Sequence, residues 1–432
     1  CYIFSAATAF PFGGASVSSP RNGHPTAGVR CFLTKGFYAM TLLTPSSTAA
    51  TPGGAVGNPA TPVAEIAVAR AEAARGPLRR LPVPERVHSC YSTRFVGAAL
   101  EADRAAFHLS AGEHVAPQVG DVVVARVTKI RSHKQIETPE SRKATLFEDG
   151  LVLLAYGHRY AADFFLAHVP DSLDHCHLVA AGGVAGVVTE VHGAVDSPTE
   201  IEPLGLLATT DGVVNVRSYV SHRNPLDVYP RASRPRVIAV LGTSMNAGKS
   251  TVVACLVNGL SRGGRLVGAG KITGTGAGND RMHYQDAGAH AVIDFTDFGY
   301  ATTFRTPFED IRALSLNMIS ALTDTGADTV IVEIADGIYQ RETAMLLRDP
   351  AFQASVDQVV FASSDALGAR AGVTELLDAG LTVAAASGIM TRSPLATAEA
   401  REVLGRFGVP VVGSYELTDP ATATRIAQVT RA

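Results

Sequence analysis

Val237-Ile-Ala-Val-Leu-Gly-Thr-Ser-Met-Asn-Ala-Gly-Lys-Ser-Thr251 runs from an apolar segment through a polar turn into Val252-Val-Ala-Cys-Leu-Val-Asn-Gly-Leu260. A short apolar run closed by glycine reads as a buried strand, and the longer run after Thr251 as an apolar helix. A loop between a strand and a helix N-terminus turns several backbone N–H groups toward one point, where they and the helix dipole favour phosphate. Within Gly242 to Thr251, Gly248 lets the backbone come close, Lys249 reaches the β- and γ-phosphates, and the Ser250 hydroxyl faces a magnesium ion. Asn246, Ala247 and Thr251 complete the expected contact surface. The strict pattern GxxxxGK[ST] places glycine at 243, where this chain has Thr243 with Gly242 one position earlier. The bland alternative is a strand-to-helix turn that contains Gly-Lys-Ser by chance.

Outward from this loop the texture alternates between apolar strands and helical stretches. Strands are expected at Leu266-Val-Gly-Ala-Gly270, Ala291-Val-Ile-Asp-Phe295, Thr329-Val-Ile-Val-Glu333, Gln358-Val-Val-Phe-Ala362, Thr382-Val-Ala-Ala-Ala386 and Val409-Pro-Val-Val412, with helices such as Ile311 to Leu322 and Val373 to Ala379 between them. This order predicts an α/β domain over 234–432, a parallel sheet flanked by helices of P-loop NTPase type, with its ligand at the carboxyl ends of the strands. Toward the N-terminus, 81–228 shows short apolar runs broken by Gly, Pro, Asp and His. It reads as a small β-rich domain, barrel or sandwich, with strands at Val122 to Val127, Leu151 to Tyr156 and Ala185 to Val191. Ser221 to Ser233, polar and twice interrupted by proline, reads as a linker. Residues 1–80, rich in Thr, Ser, Pro, Ala and Gly over 41–62, read as a disordered extension, with translation starting at Met40.

The loop spacing Gly-Thr-x-x-x-x-Gly-Lys-Ser resembles that of dethiobiotin synthetase and its relatives, among them the cobyrinic-acid amidating enzymes and the accessory protein of molybdopterin guanine dinucleotide synthesis. Lys271, in Gly268-Ala-Gly-Lys-Ile-Thr-Gly-Thr-Gly276, is similar to the lysine those synthetases present to substrate and γ-phosphate. Glu333 is similar to the magnesium-binding glutamate of their Val-Glu-Gly motif. The resemblance covers the C-terminal half only. The family's proline after the lysine is Ile272 here, its Glu-Gly-Ala-Gly-Gly becomes Glu333-Ile-Ala-Asp-Gly337, and its adenine-reading asparagine has no counterpart.

Taken without the family, Glu333 is an acid at the carboxyl end of an apolar strand, on the sheet edge where the phosphate loop lies. It suits a metal or an attacking group, and equally the cap of the next helix. Lys271 is a second cation for the transferring phosphoryl group or a solvated strand-end lysine. Asp336 is a second ligand or part of an Asp-Gly turn. The glycines at 274, 276 and 278 allow their loop to lie against phosphate or substrate, and Asp280, Asp286, Asp294 and Asp297 are further candidates for the metal. Asp174-His-Cys-His177 places two ligands on one strand face, but no partner pair of matching spacing completes a zinc set.

Composition bounds the rest. With 432 residues, 46% hydrophobic and 18% charged, the chain has material for two or three packed domains. A net charge of −3 argues against a global nucleic-acid footprint. The basic run Arg126 to Lys143 is interleaved with Glu137 and Glu140 rather than aromatics, and reads as a solvated face. No run of about 18 apolar residues offers a membrane span. Five scattered cysteines without CxxC spacing fit a reducing cytoplasm. The resulting expectation is a magnesium-dependent, ATP-binding enzyme, ligase or NTP hydrolase, that activates a carboxylate or carbamate by phosphoryl transfer to join it to a small molecule. Lys249, Lys271 and Glu333 would act on the phosphoryl group, Ser250 and Glu333 would hold the metal, and a homodimer is compatible. The alternatives are a nucleotide-dependent switch acting on a protein partner and a pseudoenzyme that binds nucleotide only for stability. The absence of a second lysine early in the loop, where Ser244 stands, and of Asn-Lys-x-Asp weighs against partition ATPases and guanine-specific GTPases.

Overall fold

The computed structural model describes residues 78–112 and 114–429. The expectations for residues 1–77, Met40 included, lie outside the described residues. Strand Arg79–Pro82 begins inside the stretch read as the extension and pairs with His108–Ala111.

In the C-terminal α/β domain, strands are numbered β1 (Arg236–Gly242), β2 (Val267–Thr273), β3 (Ala291–Asp294), β4 (Thr329–Ile334), β5 (Gln358–Ala362) and β6 (Val383–Ser387). Helices are α1 (Lys249–Arg262), α2 (Asn279–Asp286), α3 (Phe308–Asp324), α4 (Arg341–Leu346), α5 (Pro350–Ser355), α6 (Ala366–Asp378), α7 (Pro394–Gly405) and α8 (Pro420–Ala427). The six strands form one sheet in the order β3-β2-β4-β1-β5-β6, every neighbouring pair parallel. The chain leaves β1 toward one edge, returns through β4, and crosses to β5 and β6 on the other side. The sheet therefore changes direction around β1, the place where open α/β sheets form a crevice at their carboxyl ends.

Period-two alternation sorts the strand residues between two apolar layers. Val237, Ala239 and Leu241 face the layer built from α3 to α7, while Ile238 and Val240 face the one built from α1 and α8. On β4, Val330, Val332 and Ile334 point to the first layer and Ile331 to the second. Glu333, two residues after Ile331, therefore lies on the α1 side. Both faces are covered, which is why these strands are mostly apolar. The strand expected at 409–412 is reduced to a single bridge between Ala386 and Val411. Pro410 in its middle has no N–H for a ladder.

The N-terminal domain is a barrel. Strands Thr199–Thr209, Val122–Lys129, Leu151–Tyr156, Val184–Val191 and Cys176–Ala180 pair in that order, and the last returns to the first. One alternating set of side chains, including Val123, Ala125, Leu154, Tyr156, Leu178 and Ile201, fills one apolar cluster. The other set, including Val122, Val124, Leu153 and Leu207, packs beneath the helix Arg94–Ala102 through Val96 and Leu100. The linker Ser221 to Ser233 runs over the α/β domain: Asn224 donates to the Tyr300 hydroxyl at 2.8 Å and Arg231 pairs with Asp324 at 2.8 Å. No helix among the described residues is long and apolar enough to cross a membrane.

Candidate functional site

The loop after β1 takes its shape from two residues with positive φ, Asn246 at 62° and Gly248 at 98°. At Gly248 a Cβ would also come within 3.2 Å of the Gly388 backbone, so glycine is required both by conformation and by close approach. Helix α1 begins at Lys249 without a side-chain cap, whereas α6, α7 and α8 are capped by Asp365, Ser393 and Asp419. Among the described residues no backbone acceptor serves the N–H groups of Asn246, Gly248, Lys249, Ser250 or Thr251. Those donors converge on one end of the helix, the arrangement a phosphate group satisfies.

Asn246, Gly248, Lys249, Ser250 and Thr251 line a cleft of about 690 Å³. Gly242, Thr243 and Ala247 stand behind the loop instead. Thr243 donates its N–H to the Ala362 carbonyl at 3.0 Å, and Ala247 is fully buried and accepts from Ile389 N–H at 3.0 Å. Thr243 thus supplies a strand-like tether where the strict motif has glycine. The Lys249 ammonium donates to the Ser244 carbonyl at 2.7 Å, folded back across the loop's mouth. Burial pulls Lys249 below the ordinary lysine range, opposed by the charges of Glu333 and Asp336.

Lys271 and Glu333 are register partners on β2 and β4 and share the cleft with the loop. The Lys271 ammonium lies 3.4 Å from Glu333 Oε1 and pairs closely with Asp280. Burial works against its charge, but Asp280 and Glu333 outweigh it and hold it above the usual lysine range. The second Glu333 oxygen accepts from the hydroxyl of Tyr284, a fully buried residue of α2. Burial and the charge of Glu333 push that phenol well above its usual range. Neither bland alternative survives: Lys271 is not a solvated lysine, and Glu333 caps no helix, α4 being capped by Gln340. Asp336 also lines the cleft, and burial raises its carboxyl above the ordinary range against the pull of Lys249 and Lys271.

Of the other candidate acids, only Asp280 faces the cleft. Asp286 is exposed at the end of α2. Asp297 binds Arg94 and Arg281, each at 2.6 Å, and Asp294 accepts from Tyr91 of the barrel domain. These two acids fasten the domains together. So does the loop 274–278: Gly278 N–H donates to Glu137 at 2.6 Å, and a Cβ on Gly276 would meet Ser92 Oγ at 2.4 Å. The loop's glycines serve this domain contact as well as the cleft. Asp174-His-Cys-His177 holds no metal set: Cys176 is buried in the barrel and His177 Nδ1 accepts from Val188 N–H at 3.1 Å. Among the described residues no group of three or more His, Cys, Asp or Glu side chains could hold a metal unaided. A magnesium ion here would depend on nucleotide phosphates and water, with the Ser250 hydroxyl and an acid of the cleft as protein ligands. Such a site fits the donors present.

The far wall of the cleft belongs to the barrel domain, which contributes His133, Glu137, Arg159, Phe164 and the segment Ala180 to Gly182. Asp163 of the barrel domain accepts from Asn246 of the phosphate loop at 2.7 Å. Tyr284 and this wall escaped the sequence reading, because only the folded chain brings them to the loop.

The fold and the loop together define an α/β domain of P-loop NTPase type, joined through its cleft to a small barrel. No family model matches the sequence, and no curated protein matches it. Among solved structures the chain is similar to the signal recognition particle 54 kDa protein from Aeropyrum pernix K1 in complex with GDP, at 16% identity and a TM-score of 0.33, over 49% of this chain and 50% of that one. The receptor FtsY from Elizabethkingia anophelis in complex with GDP follows at 15% identity, TM-score 0.31, over 48% and 68%. Chloroplast FtsY from Physcomitrella patens follows at 12%, TM-score 0.29, over 48% and 69%. The chain spans half the length of the first of these. At such scores the assignment of the fold rests on the chain's own topology. None of the three is a dethiobiotin synthetase, so the resemblance to that family rests on the residues alone.

Proposed function

We propose that the cleft binds a nucleoside triphosphate with magnesium on the phosphate loop and transfers its terminal phosphoryl group to a small acceptor, ATP being the nucleotide and a carboxylate or carbamate the acceptor. The observation that carries this reading is the buried Lys271–Glu333–Tyr284 network beside Lys249, in a cleft whose volume of about 690 Å³ extends beyond the loop. A binder of phosphate alone needs neither the second lysine nor the additional space. Ligand pockets commonly run from about 300 to 1,000 Å³, so a nucleotide tail and a second molecule fit together.

Magnesium would supply charge neutralisation across the β- and γ-phosphates. Lys249 swings from the Ser244 carbonyl onto the phosphates, and Lys271 stabilises the charge on the group in transit. In the transfer, an acceptor carboxylate oxygen forms a bond to the γ-phosphorus while the bond from that phosphorus to the β,γ-bridging oxygen breaks, and the nucleoside diphosphate leaves with the electron pair. An amine then attacks the acyl phosphate carbon, inorganic phosphate leaves, and the nitrogen's proton passes to a base or water. Glu333, fixed by Tyr284 and Lys271, orients the lysine and offers a carboxylate toward the metal. Removing water from between the two domains strengthens each of these interactions.

A nucleotide-dependent switch is the second reading. It draws on the loop 274–278, which follows β2 beside the phosphate site and is held by Glu137 of the other domain. Phosphate release from ATP and from GTP, measured with magnesium and panels of carboxylates and amines, separates the two. Stimulation by a carboxylate, with an acyl phosphate trapped as its hydroxamate, supports transfer; hydrolysis that no small molecule affects supports the switch.

A further inference from the structure

On the nucleotide reading above, we infer that the barrel domain supplies the acceptor subsite, and that Arg159 is its anchor for an oxyanion, a carboxylate or phosphate group of the second substrate. Arg159 sits in the two-residue strand Arg159–Tyr160, which pairs with Phe165–His168 at the barrel's edge. Its guanidinium carbon lies 4.9 Å above the Phe164 ring and faces the cleft. Its Nε and Nη1 are buried and have no hydrogen-bond partner among the described residues. It belongs to none of the ion pairs within 4 Å there, whereas Lys271, in the same cleft, is paired with Asp280 and Glu333. A buried guanidinium with nothing to pair with is costly in a folded protein, and an arriving anion removes that cost.

Two neighbours sharpen the site. His133 lies edge-on to Phe164 at 5.1 Å, and its buried Nδ1 has no partner either. Burial, helped by the charge of Arg159, pushes His133 down to about 3, so it stands neutral beside the cation and leaves the ligand's charge to Arg159. Burial lowers Arg159 itself to about 10, which keeps it charged at neutral pH. Asp336 is the acid whose field reaches Lys249, Lys271 and Arg159, without pairing to Arg159 within hydrogen-bond distance. Arg159, Asp336 and the phosphate loop line the same cleft. A substrate anion on Arg159 would occupy the cleft that Lys271 and the phosphate loop also line. The aromatic floor and the guanidinium recognise a small acid rather than a polymer.

The test uses melting temperatures of the full chain and of R159Q, R159K and K249A, at matched ionic strength with chloride as control. The protein is taken alone and saturated with AMP-PNP and magnesium, which fills the γ-phosphate position, and is titrated with malonate or inorganic phosphate. Wild type loaded with AMP-PNP is expected to gain a further saturable shift with one anion or both. Unliganded K249A keeps an anion shift, whereas R159Q loses it and R159K retains part. Ligand-free R159Q is expected to melt at or above wild type, since it loses an unpaired buried charge. A response to malonate alone identifies a carboxylate, and a response to phosphate alone a phosphate ester. No anion shift in wild type, an undiminished shift in R159Q or R159K, or a ligand-free R159Q that melts several degrees lower overturns the proposal. If AMP-PNP itself fails to stabilise wild type, the nucleotide reading falls, and the anion titration of unliganded K249A against R159Q still decides the role of Arg159.

Discussion

Glu333 is the residue where sequence and structure meet most usefully. Its position at the end of an apolar strand was legible, because a carboxylate there breaks an otherwise continuous buried run. Its partners were not: Tyr284 is 49 residues away along the chain, and no local pattern links them. The geometry separates a catalytic group from a packing one by a charge-only change. Glu333→Gln retains an acceptor for Tyr284 and removes one of the two carboxylates around Lys271. Nucleotide affinity is expected to change little, while phosphate release at saturating nucleotide falls by about 100-fold or more, the scale for a group acting mainly on the transition state. Equal release rates for variant and wild type would remove Glu333 from the chemistry.

At the scale of elements, the parallel sheet could be read because each strand is buried on both faces and flanked by helical periodicity. Strands β1 and β4 lie within a residue of their expected ends, whereas Val409 to Val412 looked like a strand only by composition. The barrel's five strands were less legible, since its ring closes through contacts between distant segments such as Cys176–Ala180 and Thr199–Thr209. Loop 274–278 illustrates the same limit. Its glycines suggested room for a ligand, but Gly276 and Gly278 are also demanded by the barrel's approach. At Gly182, on the barrel side, a Cβ would fall 1.9 Å from the Gly276 carbonyl, a clash with backbone that no rotamer relieves. Gly182→Ala is therefore expected to cost about 1–3 kcal/mol, the usual scale of overpacking. It should also speed proteolysis between the domains, as read by denaturant titration and limited digestion. An unchanged midpoint and digestion pattern would show that the two domains do not share this contact in solution.

For the whole molecule, stability carries an acid sensitivity with a definite sign. Burial holds His133 at about 3 and His158 at about 4, so both are neutral in the folded chain over most of the acidic range. In the unfolded chain they take up protons near pH 6.5. Between those limits the unfolded state binds more protons, and stability rises with pH. The contribution is fully present above about pH 7 and is lost progressively as pH falls from about 6.5 toward 4. Replacing His133 by Gln should flatten that slope by up to about 1.4 kcal/mol per pH unit, one proton's worth, in urea titrations between pH 4 and 7. An identical slope in the variant would mean that His133 is accessible to protons in the folded state.

The uncapped start of α1, facing the cleft between the domains, is proposed above as a nucleotide site that works with magnesium. It is tested most directly by the melting temperature of wild type and of Lys249→Ala, with ATP or GTP, each with and without magnesium. A ligand that binds only the folded chain stabilises it by about 2.7 kcal/mol at a hundred times its dissociation constant, so the shift is readily measured. A metal-dependent rise is expected in wild type, larger with ATP than with GTP, and nearly absent in Lys249→Ala. A rise of the same size in the variant, or none in wild type with either nucleotide, would contradict it.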